Sequence, residues 1–259
     1  MLLRDKVAVI YGAGGAVGGT AARTFAREGA RVFLVGRSPD PIERVAGEIR
    51  AAGGQAETAV VDAADPDAVE AHLAALVAET GRIDVSLNAT HPGAVMGIPL
   101  REMTVDDFTA SALNALRLTF STGTAAARRM TEAGSGVILT MSTSTTVLSG
   151  RDRRFHASGG FGVACAAVEE FTRALAGEVG PHGVRVVCLR PDALPETWGP
   201  HDEGPAADSF RYMTDGTALG RMPTLQEVAD TAAFAASDRA SAMTGAIVNL
   251  TCGSNMNAG

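Results

Sequence analysis

The sequence predicts an α/β protein: a doubly wound parallel sheet of about seven strands flanked by helices, in a single domain with a small lid. Three observations carry that expectation. Short β-branched runs alternate with longer stretches of helical period along the 259 residues, as when crossover helices connect parallel strands. A glycine-rich turn follows the first apolar run and opens a helix. At this length, a hydrophobic content of 46% is enough to bury one large core.

The elements follow in order. Residues 6–11 read as the first strand and 16–28 as a helix that stops at Gly29, a residue suited to ending helices. Residues 31–35 form the second strand, and 41–52 a helix whose first turn accepts Pro41. Residues 55–62, 82–88, 136–142 and 184–190 supply further strands, with helices at 66–80, 105–132 and 162–179 between them. A last helix at 225–237 precedes the strand 246–250. Residues 192–217 break this rhythm. They are rich in proline, glycine and charge, and they follow the sixth strand, where a lid over the ligand crevice of an open sheet sits.

Composition narrows the function. The net charge of −7 gives no basic surface for nucleic acid or an anionic membrane. No stretch approaches roughly 18 uninterrupted apolar residues, so no membrane span is expected. The N-terminal apolar run is too short for a signal peptide and is broken by Gly12, Gly14 and Gly15. Cys165, Cys188 and Cys252 are odd in number and widely spaced, which fits reduced thiols in a cytoplasm and no disulfide or zinc framework.

The first strand leads into Gly12-Ala13-Gly14-Gly15-Ala16-Val17-Gly18 and then a helix. Glycine lets backbone approach a pyrophosphate, and the helix N-terminus offers free N–H groups and partial positive charge. That context makes the sheet Rossmann-type. Gly12, Gly14, Gly15, Val17 and Gly18 are therefore candidate cofactor residues. The second strand ends in Val35-Gly36-Arg37-Ser38. An acid there holds the ribose hydroxyl of NAD, whereas Arg37 with Ser38 accommodates a 2′-phosphate and favours NADP(H) over NAD(H). The competing reading makes Arg37 a solvated loop cation, which leaves room for no cofactor at all. Asp62 closes the third strand, and with Ala63, which follows it, is a further candidate cofactor residue. Asp62 either accepts a hydrogen bond from the adenine amino group or caps the turn before Pro66.

At this point the chain resembles the short-chain dehydrogenase/reductase family over essentially its whole length. That family's TGxxxGxG loop stands here as residues 11–18, beginning with Tyr11, and Ala16 replaces the middle glycine. Its NNAG turn is reduced to Asn88-Ala89-Thr90-His91, and its helix asparagine matches Asn114. The serine-bearing strand ends in Ser142-Thr143-Ser144, and residues 166–176 and 236–245 lie very close to the family pattern. The resemblance implies cofactor contacts from Asn88 and Pro191, catalytic roles for Asn114, Ser142 and Ser144, and a homo-oligomer, tetramer or dimer, with residues 162–179 and the C-terminal strand region at its interfaces.

The family's chemistry also runs on a tyrosine and a lysine four residues later. This chain has one lysine, Lys6, and two tyrosines, Tyr11 and Tyr212, none at that spacing. Alignment on the following helix puts Phe161 at the tyrosine position and Cys165 at the lysine position, and Asp192 replaces a glycine beside the nicotinamide pocket. Phenylalanine has no proton to give, and cysteine has neither the reach nor the charge of lysine. Losing a positioned general acid forfeits about 10²–10⁴ in rate. His156, in the loop that carries Arg151, Arg153 and Arg154, and His91 are candidate replacements, and each also reads as a surface residue. The expected function is an NADP(H)-binding oxidoreductase with its proton relay replaced, acting on a small carbonyl, enone or acyl substrate. A catalytically silent binding protein, or a partner that stabilises an active homologue in a hetero-oligomer, stands beside it. Non-redox acid/base chemistry in the same pocket is a third reading.

Overall fold

The computed structural model describes residues 1–93, 95–145, 158–198 and 204–256. Seven parallel strands form one sheet: β1 (Val7–Tyr11), β2 (Arg31–Gly36), β3 (Gln55–Val60), β4 (Val85–Asn88), β5 (Gly136–Met141), β6 (Val184–Pro191) and β7 (Ala246–Leu250). Their order is β3-β2-β1-β4-β5-β6-β7, which reverses direction between β1 and β4. Ligand crevices of open α/β sheets open at such a reversal, outside the carboxyl ends of the strands.

Helices cover both faces. On one lie α1 (Ala16–Arg27), α2 (Pro39–Ala51) and the helix Leu225–Ala236; on the other lie α3 (Pro66–Thr80), α4 (Val105–Ala133) and α5 (Gly159–Val179). β1 shows why the sheet is apolar throughout. Ala8 and Ile10 join the first core, while Val9 and Tyr11 join the second, so both sides of every residue pair must be buried. Among the described residues no helix is long and apolar enough to cross a membrane.

Several boundaries differ from the sequence expectation, each for a local reason. α2 starts at Pro39, two residues before Pro41, because Ser38 takes the extended N-cap position. α5 starts at Gly159, whose φ of +53° turns the chain into the helix. β4 starts at Val85 rather than at residue 82. Asp84 instead accepts the Val7 amide with its carboxylate (2.7 Å) and pairs with Arg82, so a side chain does the work of the ladder. Of the expected lid segment 192–217, residues 199–203 lie outside the described residues; the described part holds the helix Gly204–Asp215, here α6, which makes Leu225–Ala236 α7.

Candidate functional site

Two adjoining cavities open at the carboxyl ends of the strands. The smaller, about 450 Å³, is lined by the Gly12 turn, the end of β2 and the segment after β3. Gly12 has φ of +76°, and a Cβ there would lie 2.6 Å from the Ala89 carbonyl oxygen. A Cβ on Gly18 would lie 2.3 Å from the Gly12 carbonyl oxygen, so Gly18 seats α1 against the turn instead of lining the cavity. Gly14 and Gly15 line it directly. No side chain caps the N-terminus of α1 and its first turn carries no acid, so unpaired N–H groups and positive dipole face the cavity. A Rossmann-bound pyrophosphate needs such a cradle, and the residues present fit a dinucleotide.

The sequence-predicted cofactor residues fall around this cradle. Arg37 and Ser38 are exposed at its edge. Asp62 lines it and closes its own turn, accepting the Ala64 amide on Oδ1 (3.0 Å), while Ala63 is buried beside it. Asn88 shapes the next loop: its Oδ1 accepts from the Thr90 amide (3.1 Å) and the Thr90 hydroxyl (2.6 Å). Asn114 sits here rather than in the second cavity, and its amide nitrogen donates to the Pro92 carbonyl oxygen (3.1 Å).

The larger cavity, about 770 Å³, is lined by Val17, Asn88, Ser142, Ser144, Phe161, Cys165 and Pro191, with residues 192–198 at one side. Phe161 and His91 face each other with ring centroids 6.1 Å apart and an interplanar angle of 21°. His91 Nδ1 accepts from the Gly93 amide (3.0 Å), which leaves the proton of the neutral ring on Nε2. His91 lines both cavities and so marks their junction. Burial pushes the Cys165 thiol up to about 11, against the opposing pull of hydrogen bonding from Thr143. Near neutral pH residue 165 therefore presents an uncharged thiol to this cavity.

Ser142 is buried and its hydroxyl donates to Glu169 Oε1 (2.8 Å). Glu169 Oε2 accepts from Arg190 (3.1 Å), and Arg190 Nε donates to Asn249 Oδ1 (2.6 Å). The Ser142 proton is thus directed into this network, away from a substrate, which leaves Thr143 and Ser144 as the partly exposed hydroxyls of the strand end. Sequence reasoning missed the network. One signal was available: Phe161, Cys165, Val168, Glu169 and Thr172 recur at helical spacing and share one face of α5. His156 and the three arginines of its loop lie outside the described residues.

An open parallel sheet with a glycine cradle at its topological switch point, continuous with an apolar chamber, defines a dinucleotide-binding protein of the oxidoreductase class. Comparison with known proteins places it more closely: the chain belongs to the short-chain dehydrogenase/reductase family. A family model described as enoyl-(acyl carrier protein) reductase matches residues 12–255. D-threitol dehydrogenase of Mycolicibacterium smegmatis is 30% identical over 245 residues, covering 94% of this chain and 90% of the relative. Peroxisomal 2,4-dienoyl-CoA reductase of Rattus norvegicus is 31% identical over 263 residues, covering 98% and 85%. Among solved structures, a short-chain type dehydrogenase/reductase from Mycobacterium marinum superposes with a TM-score of 0.85 at 29% identity, covering 98% of this chain and 97% of that one. The family binds nicotinamide cofactors and the fold expectation holds strand for strand.

Proposed function

We propose that this chain binds NADP(H) and reduces a small substrate with a polarised double bond, without the tyrosine–lysine relay of its family. The observation that carries this reading is a chamber that keeps its cofactor-side cradle while Phe161 and Cys165 line the substrate side. When bound, the dinucleotide supplies hydride. The glycine turn and the bare α1 terminus hold its phosphates, Arg37 and Ser38 meet a 2′-phosphate, and Asp62 with Ala63 faces the adenine. Asn88 and Pro191 shape the nicotinamide end. Thr143 and Ser144 orient the substrate, the segment 192–217 closes over it and excludes water, and the whole forms one domain. His91 Nε2–H is the imidazole donor on the described walls; His156 is the other candidate.

Leu113, Leu116 and Phe120 recur along α4 and lie exposed, as does Val163 on α5. This apolar stripe supports a homo-oligomer formed with a second copy of the chain. The free cysteines suit a reducing cytoplasm.

A second reading, a silent cofactor-binding subunit, is favoured by the neutral thiol at residue 165. A thermal shift with NADPH tests the cofactor site, and NADPH oxidation across a substrate panel tests the chemistry. Turnover by the parent chain supports the first reading. A parent without turnover, whose Phe161→Tyr/Cys165→Lys variant gains carbonyl reduction, supports the second. Absence of an NADPH shift at millimolar ligand would reject both.

A further inference from the structure

Among the described residues, the larger cavity holds a carboxylate with no counter-charge. Asp192 is 8% exposed and lines it. Its Oδ1 accepts the Ala193 amide (2.8 Å) and its Oδ2 accepts the Ser254 hydroxyl, and neither oxygen meets a cation among the described residues. An ionised carboxylate offers about four acceptor sites, and burying one without a counter-charge is costly. No lysine or arginine lines this cavity among the described residues, and Glu196 adds a second carboxylate at the exposed edge. The walls also carry Phe161, Trp198 and Met141, together with uncharged hydroxyl and amide side chains such as Thr143, Ser144 and Asn88. Aromatic rings beside a carboxylate form a receptor for an organic cation, attracted by the ring face and neutralised by the acid.

We propose that the larger cavity takes an apolar iminium compound, with Asp192 as its counter-ion. The proposal rests on the nicotinamide-dependent reading above and narrows its substrate class. The proton accounting supports it. Reduction of a carbonyl develops an alkoxide that must be protonated, and since Phe161 has no proton to offer, that step would draw on His91 instead. An iminium carbon instead gains hydride from the reduced dinucleotide: a C–H bond forms, and the C=N π pair becomes the nitrogen lone pair. A neutral amine and the oxidised dinucleotide leave, and no proton moves. Losing a donor at residue 161 then costs nothing, and a cation at residue 165 would repel the substrate.

The test compares two ligands of one shape, N-methyl dihydroisoquinolinium and uncharged dihydronaphthalene, by calorimetric titration in the presence of tetrahydro-NADPH, whose saturated ring carries no charge and transfers no hydride. The cation is expected to bind about tenfold more tightly, as a charged partner for a buried carboxylate implies. The Asp192→Asn variant, which keeps an acceptor for Ala193 and a partner for Ser254, is expected to lose that preference. Equal affinities in the parent chain would overturn the proposal, whatever the variant does. So would a preference that persists in Asp192→Asn, or an Asp192→Asn effect confined to NADP⁺ against NADPH, since the carboxylate would then serve the cofactor. NADPH binding measured alone separates failure here from failure of the nicotinamide reading.

Discussion

Glu169 on α5 and Arg190 on β6 form an ion pair of 3.1 Å beneath the floor of the larger cavity, with side chains 11% and 10% exposed. The pair sits between the Ser142 hydroxyl and the Asn249 amide, so every partner depends on the next. Breaking one side of such a pair leaves the other charge buried and uncompensated. Glu169→Ala is expected to cost about 3–5 kcal/mol, read as a lower denaturant midpoint at unchanged slope. Glu169→Gln, which still accepts from Ser142, should cost less. A midpoint that stays put in Glu169→Ala would mean that Arg190 finds water in the folded state.

Tyr11 presents the opposite case. It is fully buried, and its hydroxyl finds no hydrogen-bond partner among the described residues, although its ring packs edge-on against His72 at 6.5 Å. Burial, with Glu70 nearby, holds the phenol well above its ordinary range, so it stays protonated. A buried donor without a partner bears a desolvation penalty of about 1–3 kcal/mol. Tyr11→Phe keeps the ring and removes the penalty, so thermal unfolding should move up. A downward shift, or weaker dinucleotide binding, would reveal a partner for the hydroxyl.

These two cases show what the sequence discloses and where it stops. α3 was legible to the residue because its signals are local. Asp65 accepts the Asp67 and Ala68 amides, Pro66 starts the helix, and Gly81 ends it at φ of +77°. The glycine cradle was equally readable, since loop and helix follow β1 directly in the chain. The Ser142–Glu169–Arg190–Asn249 network was not. It joins β5, α5, β6 and β7, and only the register that pairs Arg190 with Asn249 brings its members together. The facing rings of His91 and Phe161 are hidden for the same reason: one residue lies in the loop after β4, and the other in the first turn of α5.

Acid stability should depend on the start of α7. Thr224 and Glu227 form a capping box, and Arg221 pairs with the Glu227 carboxylate (Nη1 at 2.9 Å). The Arg221 guanidinium first, then the Thr224 amide, lower Glu227 from 4.5 to about 2. A carboxyl depressed in the folded state contributes stability that is complete above its unfolded value and lost as pH falls through the folded one. The loss from this group therefore falls between about 4.5 and about 2. Because the carboxylate is partly exposed, solvent screening keeps the effect modest. Glu227→Gln should flatten the acid limb of a stability-versus-pH curve in that window while leaving its neutral plateau slightly lower. An identical acid limb in the variant would show that the cap does not form in solution.

Arg37 should decide which dinucleotide is preferred. It lies exposed at the edge of the smaller cavity beside Ser38, and no carboxylate pairs with it among the described residues. The strand-end position where an acid would hold a ribose diol is thus occupied by a cation. A guanidinium–phosphate contact is charge-assisted and bidentate, and partial exposure keeps it in the range of about 1.5–3 kcal/mol. Arg37→Ser should therefore weaken NADPH by about ten- to a hundredfold and leave NADH almost untouched, as measured by fluorescence titration of each reduced cofactor. Charge reversal in Arg37→Glu should go further and turn the preference toward NADH, because the new carboxylate repels a phosphate and accepts from two ribose hydroxyls. If both variants lost NADPH and NADH equally, Arg37 would be holding the loop after β2 in shape, and the choice of cofactor would have to lie with Ser38 or Asp62.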